Sequence, residues 1–321
     1  MSFSICGTGS AYPKRVVTNG ELSAMVDTSD EWIRTRTGVR ERRVLTDETI
    51  TDIALTAAKR ALEDAGVSPK ELDLILCATI RNEYITPTMA CMLQKELGAN
   101  CPAMDINAAC SGFLYALDVA DGYFARKRVK KVLVVAAEAM SKMADWTDRA
   151  TCVLFGDAAG AAVLGEGEDL LSLKVTASGN DEHLFIPNVQ GNSPFSNRPK
   201  RDPYVYMNGQ EVYKFAVSSI CRDLAAVISA AGLLQEQIQH VLPHQANSRI
   251  IEAAKGRLKI PADRYHMNIA RFGNTSAASI PVLMDELNRA GAFKKGEYLA
   301  LSAFGGGFTT GACVLRWCKG Q

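Results

Sequence analysis

Cys110 stands in the stretch Asp105-Ile106-Asn107-Ala108-Ala109-Cys110-Ser111-Gly112-Phe113-Leu114. Ala103 to Ile106 reads as a short strand, and Gly112 to Ala125 as a helix with Leu114, Leu117, Val119, Ala120 and Phe124 on its apolar side. The cysteine therefore falls at a strand-to-helix junction. Unpaired N–H groups and the positive end of a helix dipole lower a thiol's pKa there, and the thiolate is the nucleophile. The small neighbours Ala108, Ala109, Ser111 and Gly112 leave room for a carbonyl to reach the sulfur. A lone cysteine is more often a small buried hydrophobe, so the case for a nucleophile rests on the distal half of the chain.

Three elements there bear on it. Pro243-His244-Gln245-Ala246-Asn247 sets a histidine between a buried strand and a helix, where a structural role is the commoner one. Gly273-Asn274-Thr275-Ser276-Ala277-Ala278-Ser279 sets an asparagine at the mouth of a small-residue helix start, a place it also fills as a plain N-cap. Phe304-Gly305-Gly306-Gly307 is either a hairpin turn or a loop whose N–H groups face a developing oxyanion. With Cys110 these supply a nucleophile, two neutral donors and a backbone donor loop, which is what acyl transfer through a thioester needs. The His Nε2–H and the Asn amide suit an enolate oxygen better than they suit proton shuttling. No acidic partner for His244 is evident in the sequence. A Cys-His-Asn hydrolase fits the same residue types, as does an acyltransferase to an oxygen or nitrogen nucleophile.

The elements that must position these groups alternate between strand and helix. Strands are expected at Ser2–Gly9, Leu74–Ala78, Lys131–Ala137, His240–Pro243, Tyr298–Ser302 and Gly311–Trp317. Val153 to Leu164 reads as a strand, a glycine turn and a returning strand. Helices are expected at Asp52–Ala65, Pro87–Leu97, Gly209–Ala231 and Asn247–Leu258, with Pro87 in the first turn of its helix. The stretch from Thr28 through Arg34, Arg36, Arg40, Arg42 and Arg43 reads as a solvated basic loop around one packed Trp32. The competing reading has Trp32 stacked on a purine and the arginines on phosphates. Ser178 to Pro203 is a long irregular stretch rich in Asn, Pro and Gly.

The order contains a duplication. Ala65-Gly66 followed by Asp73-Leu74-Ile75-Leu76 is repeated as Ala231-Gly232 followed by Gln239-His240-Val241-Leu242. Phe155-Gly156 through Gly160-Ala161-Ala162-Val163-Leu164 is echoed by Phe304-Gly305 through Gly311-Ala312-Cys313-Val314-Leu315. Two similar α/β units, packed pseudo-symmetrically with a site between them, are expected.

Composition sets the bounds. The chain has 321 residues, 47% hydrophobic and 22% charged, in the ordinary globular range. A net charge of +1 argues against nucleic acid or an anionic membrane as partner. Nine scattered cysteines without a Cys-x-x-Cys read as reduced thiols in the cytoplasm, with neither a disulfide framework nor a zinc site. No apolar run approaches the ~20 residues of a membrane helix, and no signal-peptide pattern opens the chain.

Asp105–Phe113, Phe155–Ala161, Pro243–Asn247, Gly273–Pro281 and Phe304–Gly307 together resemble the β-ketoacyl-acyl-carrier-protein synthase III family. The resemblance runs from Gly7 to Leu315. It implies a thiolase-like duplicated αβαβα five-layer α/β fold. Its halves would be 1–168, carrying the nucleophile, and 169–321, carrying His244 and Asn274. It implies decarboxylative condensation of an acyl-CoA with malonyl-acyl carrier protein, the opening step of type II fatty-acid synthesis, in a cytoplasmic homodimer with no cofactor or metal. Cys110 would take the acyl group, with its N–H and that of Gly306 holding the oxyanion. His244 and Asn274 would hold the malonyl thioester oxygen, and Phe304 would crowd the departing carboxylate. Trp32, Arg36, Thr37 and Arg149 would meet the CoA nucleotide, and Gly209, Tyr213 and Asn247 the pantetheine arm. Lys214, Arg249, Lys255 and Arg257 would face the acidic carrier protein. Thr86 would border the acyl pocket of the dimer partner, where a phenylalanine would close it after two carbons.

Overall fold

The structure, a computed structural model, describes residues 2–189, 191–197 and 199–320. Residues 190 and 198 of the expected irregular stretch lie outside these. The first sheet uses β1 (Ser2–Ala11), β2 (Leu74–Ala78), β3 (Ala103–Ile106), β4 (Lys131–Ala139) and β5 (Asp157–Gly167), in the order β1-β5-β4-β2-β3. The second uses β6 (Leu170–Asn180), β7 (His240–Pro243), β8 (Tyr298–Gly305) and β9 (Gly307–Arg316), in the order β6-β9-β8-β7. The senses match as well. β2–β4 and β7–β8 are parallel, while β4–β5, β1–β5, β8–β9 and β9–β6 are antiparallel. The repeat seen in the sequence is thus a repeat of sheet topology.

The central strands of both sheets are buried on both faces, which is why β2 and most of β4 are continuous apolar runs, while the edge strand β6 is half-buried or exposed. Helices α1 (Asp30–Thr37), α2 (Ile50–Ala65), α3 (Met89–Leu97), α4 (Gly112–Ala125), α5 (Gly209–Ala230), α6 (Ser248–Lys255) and α7 (Ser279–Arg289) provide the layers and the site walls. One core lies between the sheets, where α4 and α7 meet Leu74, Leu76, Leu299 and Leu301. A second packs α2 and α3 on the outer face of the first sheet, and a third packs α5 and α6 on the outer face of the second. Alanines 54, 57, 58 and 61 let α2 lie close on β1. A Cβ at Gly9 would stand 2.2 Å from the Ala57 carbonyl oxygen. The halves share their middle: α7 packs on β1, where Thr8 and Ser10 donate to the buried Asp285 carboxylate at 2.8 and 2.6 Å.

Several local expectations change. The Arg-rich stretch contains α1, begun by the Ser29 hydroxyl accepting the Trp32 N–H at 3.1 Å and ended by Gly38 at φ +83°. Pro87 is outside α3, whose N-cap is Thr88. The Asn247 helix ends at Lys255, so Arg257 lies beyond it. Val153 to Phe155 form no strand. Gly156 instead threads under Phe272, where a Cβ would be 2.2 Å from the carbonyl oxygen, and β5 runs on without a hairpin. In the irregular stretch Leu184–Phe185 pairs with Tyr206–Met207.

Candidate active site

A cavity of about 660 Å³ opens where the two halves meet. Cys110, His244, Asn274 and the 304–307 turn all line it, with Ile80, Met140, Phe155 and Leu184 as apolar wall.

Cys110 sits in a short 3₁₀ turn, Ala109–Ser111, that leads into α4. Asn274 sits just before a matching turn, Ser276–Ala278, that leads into α7. The two turns pack against each other and repeat one another closely. Asn107 Oδ1 accepts the Ala109 N–H at 3.2 Å, and Asn274 Oδ1 accepts the Ser276 N–H at 2.9 Å. Ala109 and Ser276 are both in the left-handed region, at φ +48° and +50°. Strain of this kind in non-glycine residues collects at functional sites. The bond to Ser276 fixes the Asn274 side chain by its oxygen and leaves the amide nitrogen to the cavity. An isolated bridge to Phe155 holds its backbone.

His244 follows the end of β7, its N–H donating to the Ser302 carbonyl at 2.8 Å. It is 1% exposed. Burial pushes its pKa down to about 3, so the ring is neutral. Its Nδ1 lies 2.7 Å from Ser279 Oγ, which also accepts the Gln245 N–H at 3.3 Å. The buried Ser279 hydroxyl proton is satisfied by donation to Nδ1, so the hydrogen-bond network assigns the ring proton to Nε2. His244 then presents a neutral N–H donor, as the sequence reading expects. Phe304 meets this ring edge-on, at 5.3 Å between centroids. Gly305 approaches the nucleophile so closely that a Cβ there would be 2.7 Å from the Cys110 nitrogen. This packing brings the glycine turn beside the cysteine backbone.

The thiol departs from expectation. Burial pushes the Cys110 pKa up to about 12, opposing the hydrogen bond from Ser276 Oγ at 3.4 Å. The sulfur opens on the cavity but is shielded from bulk water, and this outweighs its place before a helix.

The cavity mouth carries most of the residues expected to meet CoA. Arg36, Thr37, Gly209, Tyr213 and Asn247 line the cavity. Trp32 and Arg149 are just outside it. The guanidinium groups of Arg36 and Arg149 stand 5.3 and 5.4 Å from the Trp32 ring centre. Thr37 spends its hydroxyl on the Ile33 carbonyl and the Val39 N–H. Asn247 caps α6 and donates to the Arg36 carbonyl at 3.1 Å. Arg42 takes no part in a phosphate site. It is fully buried and donates to Val17, Asn19 and Val153.

The basic rim is smaller than the sequence implies. Lys214 is paired with Glu211 and Lys255 with Glu252, at 2.8 and 2.7 Å. Arg249 and Arg257 are exposed without an ion pair among the described residues. Arg249 lines a smaller recess that adjoins Gly209, Tyr213 and Asn247. Thr86 does not line this chain's cavity. It is exposed beside the exposed Tyr84 and Ile85.

Sequence reading missed Ser276, Ser279 and Glu138 as site residues. The repeat of Asn107 by Asn274 would have drawn attention to Ser276 and Ser279. Glu138 was visible as a carboxylate ending an apolar strand.

The comparisons with known proteins agree. Residues 104–179 match the family 3-oxoacyl-[acyl-carrier-protein] synthase III, and residues 228–317 match its C-terminal part. The β-ketoacyl-[acyl-carrier-protein] synthase III of Geobacillus kaustophilus is 46% identical, covering 99% of both chains. The enzyme of Aquifex aeolicus is 46% identical over 99% of this chain and 100% of its own. The Aquifex crystal structure superposes with a TM-score of 0.92 over 98% of this chain and 100% of that one, at 45% identity. The Pseudomonas aeruginosa structure gives 0.93 at 35% identity, covering both chains completely. Neutral donors and a cysteine shielded from bulk water, in a cavity between duplicated halves, are what a thioester condensation needs, and the chain belongs to the β-ketoacyl-acyl-carrier-protein synthase III family, thiolase-fold acyltransferases that open fatty-acid synthesis.

Proposed function

We propose that the chain condenses an acyl-CoA primer with malonyl-acyl carrier protein, and that Cys110, His244 and Asn274 divide the work. The observation that carries this is the convergence of the thiol, two neutral donors and the Phe304–Gly307 turn on one cavity. Cys110 attacks the acyl-CoA carbonyl, and the N–H groups of Cys110 and Gly306 hold the oxyanion. CoA leaves, and the malonyl thioester enters the same cavity. His244 Nε2–H and the Asn274 amide hold its carbonyl oxygen as carbon dioxide departs, and Phe304 keeps water from the leaving carboxylate. The enolate carbon attacks the acyl-cysteine, giving β-ketoacyl-carrier protein and free Cys110. The residue halves 1–168 and 169–321 supply, respectively, the nucleophile and the two donors. No cofactor or metal enters this scheme. Intact-mass detection of the acyl-enzyme, followed by carbon dioxide release on adding malonyl carrier protein, tests it. Release of a free acid from the acyl-enzyme alone would favour the hydrolase reading.

Trp32, with two guanidinium groups close to its ring, supports a nucleotide site at the mouth, where Arg36 would offer charge to phosphates and Arg149, now bonded to Asp27, would join it. Gly209, Tyr213 and Asn247 flank the path from there to Cys110 and would contact the pantetheine arm. Arg249, with Arg257, would receive the acidic carrier protein, while Lys214 and Lys255 are already paired with carboxylates. Arg249→Glu is expected to raise KM for malonyl carrier protein roughly three- to tenfold, leaving acylation by acyl-CoA unchanged. The wild-type KM should rise with salt, since exposed charges are screened over ~8–10 Å at physiological strength. A salt-insensitive KM, equal in the variant, counts against this surface.

The homodimer belongs to the same proposal. Tyr84 at 54% and Ile85 at 89% exposure, just before Thr86, present apolar surface that a second copy would cover. Thr86 would then border the acyl pocket of the dimer partner. Each buried methylene is worth ~0.8 kcal/mol, about fourfold in affinity. The wild type is expected to use butyryl- or isobutyryl-CoA in preference to acetyl-CoA, and Thr86→Phe to reverse that order, read as kcat/KM. An acetyl-only wild type, unchanged by the substitution, removes Thr86 from primer selection.

A further inference from the structure

Behind Cys110, on the side away from the cavity, the chain buries an acid. Glu138 stands near the end of β4 and is wholly buried. Its Oε2 accepts the Ile80 N–H at 3.1 Å, and the Ala277 N–H also points to the carboxyl. Its Oε1 lies 3.1 Å from Ser276 Oγ, and that same oxygen lies 3.4 Å from Cys110 Sγ. Ser276 is itself fully buried, in the strained turn that faces the cysteine turn. The ionisable groups around Glu138 are Asp157 of β5, Cys77 of β2 and Cys110; Lys142 acts on Asp157, but among the described residues no cation acts on Glu138 itself. Burying a carboxylate without a cation is costly, so the arrangement calls for a use.

We propose that Ser276 is a proton wire between Cys110 and Glu138, and that the carboxylate, acting through this serine, takes the thiol proton when Cys110 is acylated. Ser276 has one hydroxyl proton and two acceptors within reach, which gives the wire two satisfied states. In the first, the Cys110 S–H donates to Ser276 Oγ, and the Ser276 O–H donates to the Glu138 carboxylate. In the second, the Glu138 O–H donates to Ser276 Oγ, and the Ser276 O–H donates to the Cys110 thiolate. Both states hold one negative charge, and they differ by the concerted shift of two protons. Burial raises the Glu138 carboxyl to about 8 and the Cys110 thiol to about 12, so the proton rests on the thiol and crosses to Glu138 as the sulfur attacks the acyl carbon; an ordinary carboxyl would be a far weaker base for this. His244 cannot do this work. It carries its proton on Nε2, and its Nδ1 lone pair is taken by Ser279.

This inference rests on Cys110 being the acyl acceptor, and it completes the proton balance of that step. The thiolate forms a bond to the acyl carbon, the bond to the CoA sulfur breaks, and CoA departs with the electron pair and takes a proton from water. Glu138 stays neutral through the acyl-enzyme stage. The site therefore presents no buried carboxylate when the malonyl anion arrives. When the new carbon–carbon bond forms, Cys110 leaves as a thiolate, and Glu138 returns the proton through Ser276. Ser276 touches the reacting sulfur. Glu138 acts only through it and is a positioning residue.

The test measures alkylation of Cys110 by iodoacetamide from pH 5.5 to 10, with peptide mapping to follow this one cysteine. It is applied to wild type, Ser276→Ala and Glu138→Gln, with thermal melts as a check of folding. Ser276→Ala keeps the carboxyl and cuts the wire, so it decides the matter if Glu138→Gln does not fold. Wild type is expected to show an inflection near pH 8, where the shared proton is lost. Both variants should lose that inflection, and their rate at pH 7.5 should fall at least tenfold. A folded Ser276→Ala with the wild-type profile overturns the wire. Acyl-enzyme formation from acyl-CoA is followed in parallel. Failure of the wild type to acylate, with the profile as expected, would refute the condensation reading and leave the wire standing.

Discussion

Cys110→Ser is expected to abolish the acyl-enzyme and to lower condensation by roughly 10⁴-fold or more. The sulfur lines the cavity beside the glycine turn, with Gly305 packed on its backbone nitrogen, while the neighbouring Thr309 hydroxyl is spent on the Ala108 and Gly306 carbonyls. A serine oxygen has a far higher pKa, and this site already opposes charge on the thiol. Electrospray of the intact protein after incubation with acyl-CoA reads the result. Wild type should gain the acyl mass, and the variant should gain none. Carbon dioxide release from malonyl carrier protein is expected to continue in the variant, because His244, Asn274 and Phe304 are untouched. An acyl adduct on Cys110→Ser, or its presence on a peptide without residue 110, would remove this cysteine from the mechanism. Loss of carbon dioxide release as well would mean that the halves of the reaction are not separable in the way the geometry suggests.

Which parts of this were legible in the sequence follows from what each signal depends on. The central strands were legible because they are sandwiched between helices, so β2 and most of β4 are written as apolar runs, whereas the half-exposed edge strand β6 carries no such run and was not legible. The duplication was legible because each half repeats the same helix end and strand start. The site triplet was legible because each residue sits where a strand or turn delivers it to a helix. Helix α1 was hidden by its charge: five arginines from Arg34 to Arg43 outweighed a Ser29 cap and a Gly38 stop that were both present. Arg42 was misread for the same reason, since only the fold shows that carbonyls surround it. The thiol's pKa was misread because a helix start is a local signal, whereas burial is set by residues far away in the chain. Ser276 and Glu138 are 138 positions apart, and their contact follows only once the two halves are packed.

His244→Ala and Asn274→Ala are expected to acylate at near wild-type rates and to fail in decarboxylation by ~10²–10³-fold each. Their donors reach the cavity from the second half, held by Ser279 and by the Ser276 N–H, and neither group is hydrogen-bonded to Cys110. Each serves the malonyl oxygen as its negative charge grows, so removing one donor leaves the other to carry that charge alone. The pH dependence sharpens the test. The folded His244 pKa of about 3 lies below the ordinary 6.5, so the ring is neutral from pH 5 to 8 and its donor does not titrate there. Decarboxylation should therefore show no inflection near 6.5 that His244→Ala removes; such an inflection would mean that an imidazolium is required. Stability gives an independent reading of the same group. Below pH 6.5 the unfolded chain binds a proton at this histidine and the folded chain does not, so His244 lowers stability as pH falls from 6.5 toward 3. Thermal melts of wild type should drop more steeply than those of His244→Ala across that window, and parallel curves would show that the ring takes up a proton in the folded state.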